Sequence, residues 1–269
     1  MIKMLDHLRP AALGLLALVS GCATAPIPRP YAPRTPAAIL EELRADAAKL
    51  RTLRASARVE HDGPGLERVK ISVELVAVRG GKLRVDAESP MGGAIATLVA
   101  DGEQFRMLDL RENRFLSGPA EACNVARLLQ VALAPAEIVE VLLGGAPLEG
   151  EPGELRWDEK RGQEVLELAR KDGSRLRLHL QPQGGRYDLV AAEQLHADGG
   201  TLFKVAHEGF AAHAGGARLP QRSTISDVLR KKTLYLRYKE VEPNVDPPAK
   251  AFSLAVPNGI ANEVVTCTP

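Results

Sequence analysis

The sequence has 269 residues, a formal net charge of +1 at pH 7, 45% hydrophobic residues and only 4% aromatic ones. The balanced charge provides no electrostatic attraction for nucleic acid, so we expect no nucleic-acid partner. A chain of this length can bury a sizeable core and still form one domain if it is mainly β. Its core must be built from Leu, Val, Ile and Ala.

The N-terminus resembles the export signal of a bacterial lipoprotein. Basic residues precede the apolar run 11–19, which is shorter than the roughly 20 residues that cross a bilayer. The Ser-Gly-Cys that follows is similar to a lipobox, whose cysteine receives a diacylglycerol and a further acyl chain such as palmitate. The resemblance implies a cleaved signal peptide over 1–21, lipidation of Cys22 and, because Ala23 follows, the periplasmic face of the outer membrane. The alternative is a plain signal peptide beside an unrelated cysteine.

Residues 22–35 are rich in proline and predict an extended tether. The polyproline II conformation rises about 3.1 Å per residue, so such a tether would hold a folded domain roughly 40 Å from the bilayer. We therefore interpret this segment as a spacer.

Thr35 and Pro36 predict the start of an amphipathic helix of about 16 residues, with Thr35 as N-cap and proline at the first helical position. Ile39, Leu40 and Leu43 begin the apolar repeat of this helix. The apolar face of this helix must be buried against a second surface.

Alternating apolar and polar residues predict strands along much of the remaining chain. The first two runs, separated by a glycine pair typical of a hairpin turn, are 69–75 and 83–87. The further runs are 94–100, 104–110, 112–117, 164–170, 174–180, 186–196, 201–208, 222–229 and 233–241. Strands with one apolar and one polar face indicate an antiparallel sheet that is covered on one side.

Two short helices interrupt the strands. Apolar residues at helical spacing predict helices over 121–133 and 135–143, with Pro135 at the start of the second and a glycine pair after its end. The order is one helix, about five strands, two helices and about six strands. This order predicts a mainly β (α+β) fold of about 11 strands.

The order of elements and several local motifs resemble the LolA/LolB fold of lipoprotein carriers and receptors. The resemblance covers about 36–242, and its most specific parts are the loop 89–93 (SPMGG), the turn 101–102 and the helix end 142–147 (LLGGAP). It implies a curved antiparallel half-barrel with one N-terminal helix and two helices that plug a hydrophobic cavity.

The resemblance also implies ligand-binding residues. In the outer-membrane receptor of this family, an apolar residue of the loop that matches 89–93 protrudes and helps to pass acyl chains into the membrane. Met91 holds that position here, and the alternative is that it packs on a neighbouring helix. The predicted lining of the concave face and its plug comprises Val69, Ile71, Val73, Leu83, Val85, Phe105, Met107, Ile138 and Leu142.

Cys123 and Cys267 remain if Cys22 is lipidated. In an oxidising periplasm this pair favours a disulfide, which would fix the C-terminal tail over 243–269 to the domain. Two buried thiols are the alternative. The tail itself departs from the receptor pattern, which ends soon after the last strand.

The sequence contains no metalloprotease motif, nucleophile elbow, P-loop or dinucleotide fingerprint, and its histidines lack ligand spacing. We therefore expect a monomeric, non-enzymatic protein without a metal or separate cofactor. Two functions remain open. One is binding of an apolar ligand, including lipoprotein acyl chains received from a periplasmic carrier; the other is an envelope scaffold with the same fold. A cavity of some hundreds of Å³ would favour the first, and a filled core the second.

Overall fold

The computed structural model describes residues 25–65 and 70–267. Its α-helices are α1 (Pro36–Ala48), α2 (Ala122–Leu129) and α3 (Pro135–Leu142). Its strands are β1 (Thr52–Asp62), β2 (Lys70–Val78), β3 (Lys82–Glu88), β4 (Ala94–Asp101), β5 (Gln104–Asp109), β6 (Arg114–Pro119), β7 (Glu151–Asp158), β8 (Gln163–Ala169), β9 (Arg175–Gln183), β10 (Arg186–Leu195), β11 (Thr201–Glu208), β12 (Ala211–Ala212), β13 (Arg218–Leu219), β14 (Arg222–Asp227), β15 (Lys232–Pro243) and β16 (Asn262–Val264).

Fourteen strands form one open sheet in the order β16-β6-β5-β4-β3-β2-β1-β15-β14-β11-β10-β9-β8-β7, and β12 pairs with β13 separately. The pairing is antiparallel except for β16, which lies parallel to β6. The mainly β prediction is confirmed, whereas the predicted number of about 11 strands is wrong.

The sequence pattern misses the two-residue strands β12 and β13 and, in the large sheet, β1, β7 and β16. The three missed strands of the large sheet have physical reasons. The inner face of β1 includes Ala55 and Ala57, whose short side chains give a weak apolar signal. At the edge of the sheet, β7 exposes charged side chains, which are typical of protected edge strands but also of solvated loops. The third missed strand, β16, is only three residues long.

The helices begin where the sequence predicts and end earlier. The Thr35 side chain accepts a hydrogen bond from the Ala38 amide (3.3 Å), as expected of an N-cap, but α1 has 13 residues rather than about 16. The second helix ends at Leu129 and not at residue 133, because Gln130 adopts a left-handed conformation with φ of 60°.

The sheet curls around the helices and buries one hydrophobic core. Gly80 after β2 and Arg170 after β8 line the same groove although their strands lie far apart in the sheet order. Ile39 and Leu40 of α1 are buried in this core, together with the inner faces of the strands. In the part of the chain described here, no helix is long and apolar enough to cross a membrane.

The proline-rich segment is docked rather than free. We call residues 25–34 the N-terminal strap. The Ile27 amide donates to the Glu159 carbonyl (2.8 Å), and the Trp157 indole donates to the Ile27 carbonyl (2.8 Å). The prediction of a spacer over 22–35 is therefore wrong from Ile27 onwards, because β7 and the turn after it bind the backbone of the strap.

The C-terminal tail runs over the first half of the sheet. The Ala251 carbonyl accepts a hydrogen bond from Arg84 (3.2 Å), and β16 adds to β6. A disulfide joins Cys123 at the start of α2 to Cys267, with Cα atoms 5.8 Å apart. Cys22 lies outside the described residues.

Candidate apolar binding site

An apolar cavity of about 30 Å³ lies between the sheet and the two plug helices. All its lining side chains except His61 are hydrophobic. They are Val59, His61, Ile71, Val73, Leu75, Val85, Ala87, Leu128, Leu129, Val131, Ile138, Leu142, Ile225, Leu234 and Leu236.

Strand register brings the sheet side of this lining together. Val59 of β1 is paired with Ile71 of β2, and Leu75 of β2 is paired with Val85 of β3. Alternate residues of a strand share a face, so each of these strands presents several apolar side chains to the helices. The corner over 128–134, which we define as the end of α2 and the segment leading to α3, closes the cavity from the other side.

The structure brings together part of the predicted site. Five predicted residues line the cavity: Ile71, Val73, Val85, Ile138 and Leu142. Three others are buried in the core without lining it: Leu83, Phe105 and Met107. Val69 lies outside the described residues.

Most of the remaining lining residues carry no local sequence pattern that identifies them as a site. Val59 and His61 belong to β1, which was not predicted, although its alternation from Leu53 to Val59 carries the signal. Ile225 and Leu234 lie on predicted strands, but their place beside the cavity depends on the pairing of β15 with β1. No local pattern encodes a pairing between residues so far apart in the chain.

Met91 is 97% exposed at the tip of the turn between β3 and β4. The Ser89 hydroxyl donates to the Gly92 carbonyl (2.6 Å), and Gly92 and Gly93 have φ of 82° and 100°, which favour glycine. The turn is thus closed by its own residues and presents the methionine to solvent. The alternative in which Met91 packs on a helix is not what the structure shows, and its ligand-binding role stays a prediction.

Further exposed apolar residues occupy turns at the same end of the sheet. Leu110 follows β5 and is 46% exposed, and Leu229 between β14 and β15 is 68% exposed. We call Met91, Leu110 and Leu229 the apolar rim. The cavity-lining residues Ala87 and Leu234 are the ones nearest to these turns along β3 and β15. The apolar rim and the cavity therefore lie at the same end of β3 and β15.

Few polar contacts hold the corner on the sheet. Lys232 donates to the Gln130 side chain (2.9 Å), and the Asp227 carboxylate accepts a long hydrogen bond from the Ala132 amide (3.4 Å). Both partners on the sheet lie beside the turn that carries Leu229. Apart from these two contacts and a hydrogen bond between His61 and the Leu129 backbone, the corner rests on apolar contacts, which are not directional.

His61 is the single polar side chain of the lining. Burial lowers its pKa, and the nearby Lys232 ammonium lowers it further, while a hydrogen bond with the Leu129 backbone acts in the opposite direction. Its Nε2 atom is buried without a hydrogen-bond partner. The neutral ring is thus the form compatible with this apolar site.

The far end of the plug is fixed more firmly. The Tyr238 hydroxyl donates to the Leu142 carbonyl (2.9 Å), and Nε2 of His207 lies 3.2 Å from the Gly145 carbonyl. Because a carbonyl can only accept, this ring nitrogen carries the proton, and Nδ1 accepts from Ser223 (2.9 Å). Burial lowers the pKa of His207 to about 4. The last residue of α3 and the segment after it are therefore tied to β15 and β11.

A larger groove of about 500 Å³ lies outside the core between α1, α3 and the segment before β7. Its arginines already have partners: Arg44 donates to the Leu148 carbonyl (2.9 Å), and Arg79 is paired with Glu140. Charged walls of this kind do not suit an acyl chain.

Among the described residues, the cluster that could supply metal ligands is Glu121 with the two cysteines, whose sulfurs form the disulfide.

Comparison with solved structures identifies the fold. A LolA superfamily protein from Nitrosomonas europaea is 17% identical and superimposes with a TM-score of 0.56, over 82% of this chain and 99% of that one. An outer membrane lipoprotein-sorting protein domain from Vibrio parahaemolyticus gives a TM-score of 0.56 at 11% identity, over 81% of this chain and 97% of that one. The domain has a LolA/LolB-like fold.

The LolA/LolB-like fold is also present in a DUF1329 family protein from Desulfovibrio piger, which is 9% identical with a TM-score of 0.54, over 79% of this chain and 97% of that one. No family model and no curated protein match the sequence itself. At these identities the likeness establishes the fold alone.

Proposed function

We propose that this protein is an outer-membrane lipoprotein, anchored through Cys22, whose domain binds lipoprotein acyl chains in a LolB-like receptor role. The observation that best supports this proposal is the hydrophobic cavity beneath a weakly held corner, next to the apolar rim. A periplasmic carrier would supply the acyl chains, and the protein would act as a monomer.

The cavity must enlarge before it can hold an acyl chain. Its volume of about 30 Å³ is ten times smaller than the roughly 300 Å³ at which ligand pockets begin. The corner over 128–134 is the part whose movement enlarges it, because the sheet side is held by strand pairing. Burial of an acyl chain contributes about 0.8 kcal/mol per CH₂, which offsets the cost of moving the corner.

Met91 is the first contact that we propose for the acyl chain. An exposed, flexible and polarizable side chain suits a ligand that slides past it. The substitution Met91→Glu should leave the free energy of unfolding unchanged within about 0.5 kcal/mol, since the side chain is on the surface. It should slow transfer of a lipoprotein into phospholipid vesicles. Transfer at the wild-type rate would remove Met91 from the proposal.

An envelope scaffold is the second candidate, and the small cavity volume favours it. Under this alternative the core stays filled and the corner stays closed. The first test is native mass spectrometry of the protein purified from its own envelope. A co-purifying acylated ligand supports the receptor role, and a ligand-free spectrum supports the scaffold.

A pair of cavity variants tests the binding site directly. Val85→Phe places a bulky ring in the cavity, whereas Val205→Phe does so at a second cavity of about 30 Å³ between α3 and the other half of the sheet. Overpacking costs about 1–3 kcal/mol at either site, so loss of stability is matched. We expect Val85→Phe to weaken binding of a fluorescent fatty acid about tenfold, or 1.4 kcal/mol. Equal affinities of the two variants would contradict the assigned site.

A further inference from the structure

The N-terminal strap neutralises a buried charge of the sheet. Glu164 of β8 has no exposed side-chain surface. Its carboxylate accepts hydrogen bonds from the Arg29 guanidinium (2.9 Å) and the Tyr31 hydroxyl (3.1 Å), and both donors belong to the strap. A buried carboxylate that loses its partners is strongly destabilised, so Glu164 favours the docked strap.

Aromatic contacts fix the strap along its length. The Tyr31 ring packs edge-on against Trp157 of β7 (6.3 Å between centroids) and against Tyr187 of β10 (6.2 Å). The Arg34 guanidinium lies over the Tyr187 ring (5.9 Å), and the next residue is the N-cap of α1. The strap is therefore held by the sheet at one end and by the core helix at the other.

Docking of the strap shortens the length of chain that separates Cys22 from the domain. Cys22 and Ile27 are five residue steps apart, and a fully extended chain spans at most about 18 Å over five residues. A free spacer over 22–35 would allow roughly 40 Å. The position of Ile27 beside the turn over 158–162 thus sets how far the domain can stand from the lipid.

We infer that the domain lies directly against the membrane that holds Cys22, with the turn between β7 and β8 facing the phospholipid headgroups. The inference rests on the lipidation of Cys22 in the proposed function. Lys160 and Arg161 are exposed in this turn beside Asp158 and Glu159, and Arg161 is paired with Asp158 (3.7 Å). The charges of the turn therefore balance, so the turn neither attracts nor repels an anionic leaflet. The acyl anchor supplies the attachment, and the docked strap supplies the orientation.

The only tryptophan of the chain is a native reporter of this arrangement. Trp157 contacts the strap, so its energy transfer to dansyl-labelled phosphatidylethanolamine measures the distance between the turn and the lipid. The experiment uses the full-length lipidated protein in vesicles of phosphatidylethanolamine and phosphatidylglycerol. Two variants carry a flexible Gly/Ser insertion of about ten residues, which adds roughly 17 Å of mean end-to-end distance. One insertion precedes Ile27, and its matched control follows Ala32.

We expect strong transfer in the wild type, a loss of most of it with the insertion before Ile27, and wild-type transfer with the insertion after Ala32. Only the first insertion lies between the anchor and the docked contacts. Weak transfer in the wild type, or equal losses in both variants, would overturn the inference while leaving the acyl-binding proposal intact. The intact mass of the protein tests the premise that the inference shares with the proposed function, because a Cys22 without acyl chains would overturn the lipid anchor in both.

Discussion

Two segments that cover the sheet, the N-terminal strap and the corner, are held by different kinds of contact. The N-terminal strap is fixed by a buried ion pair, by Tyr31 between two aromatic rings and by backbone hydrogen bonds at Ile27. The corner over 128–134 covers an apolar cavity and has only a few hydrogen bonds to the sheet. Directional contacts specify one arrangement, whereas apolar contacts can be replaced by those of a ligand.

The corner is the part of the domain that can move. The corner lies between two fixed points, the disulfide at the start of α2 and the ties of Leu142 and Gly145 after α3. Movement is therefore confined to the segment that closes the cavity. The strap stays in place and keeps the domain oriented.

The largest effect is expected from removal of the disulfide. The double substitution of Cys123 and Cys267 by Ala releases a link between residues 144 positions apart, which the chain-entropy model values at roughly 5 kcal/mol. Urea unfolding of the variant and the wild type measures this loss. An unchanged free energy of unfolding would show that the start of α2 is not one of the fixed points.

Arg29→Ala tests the strap. It leaves the buried Glu164 carboxylate without its cationic partner, and we expect the free energy of unfolding to fall by about 3 kcal/mol. Arg222→Ala is the control, because its partner Glu208 is exposed and such a pair contributes at most about 1 kcal/mol. Similar losses in both variants would mean that the strap is no better fixed than a surface ion pair.

Acid should weaken the fixed point after α3. The folded-state pKa of His207, about 4, lies below the ordinary value of about 6.5, so the unfolded chain takes up the proton first as the pH falls. The stability that depends on neutral His207 is complete above about pH 6.5 and is lost between about pH 6.5 and 4, by about 3 kcal/mol. The difference in stability between wild type and His207→Gln should therefore shrink over this range. A difference independent of pH would contradict the assignment.

Lys232→Met should lower stability the least of these variants. It should also raise the affinity for a fatty acid. It removes the hydrogen bond to Gln130 and keeps most of the side-chain volume, at a cost of about 1 kcal/mol. A closed state that is less stable by this amount raises the fraction of open protein, and with it the apparent affinity for a fatty acid, about fivefold. Lys239→Met on the same strand, outside the cavity lining, is the control. Weaker binding of the fatty acid by Lys232→Met would contradict the proposal that the corner opens.

The sequence predicts what local patterns encode. Alternation finds strands such as β2 and β3, and helix signals place Thr35 and Pro135 correctly. The proline-rich composition of the strap indicates an extended chain, but its binding depends on Glu164 and Trp157, more than 100 residues away. The cavity volume depends on how side chains of two helices and five strands pack, and no local periodicity of the sequence encodes that packing.

Hydrogen–deuterium exchange with and without a bound fatty acid measures whether the corner moves while the strap stays in place. If the ligand enters beneath the corner, backbone amides over 128–134 should exchange faster in the complex, while the Ile27 amide in the strap keeps its protection. Binding of the fatty acid without a change of exchange in the corner, or with loss of protection in the strap as well, would contradict the proposal that the corner alone opens.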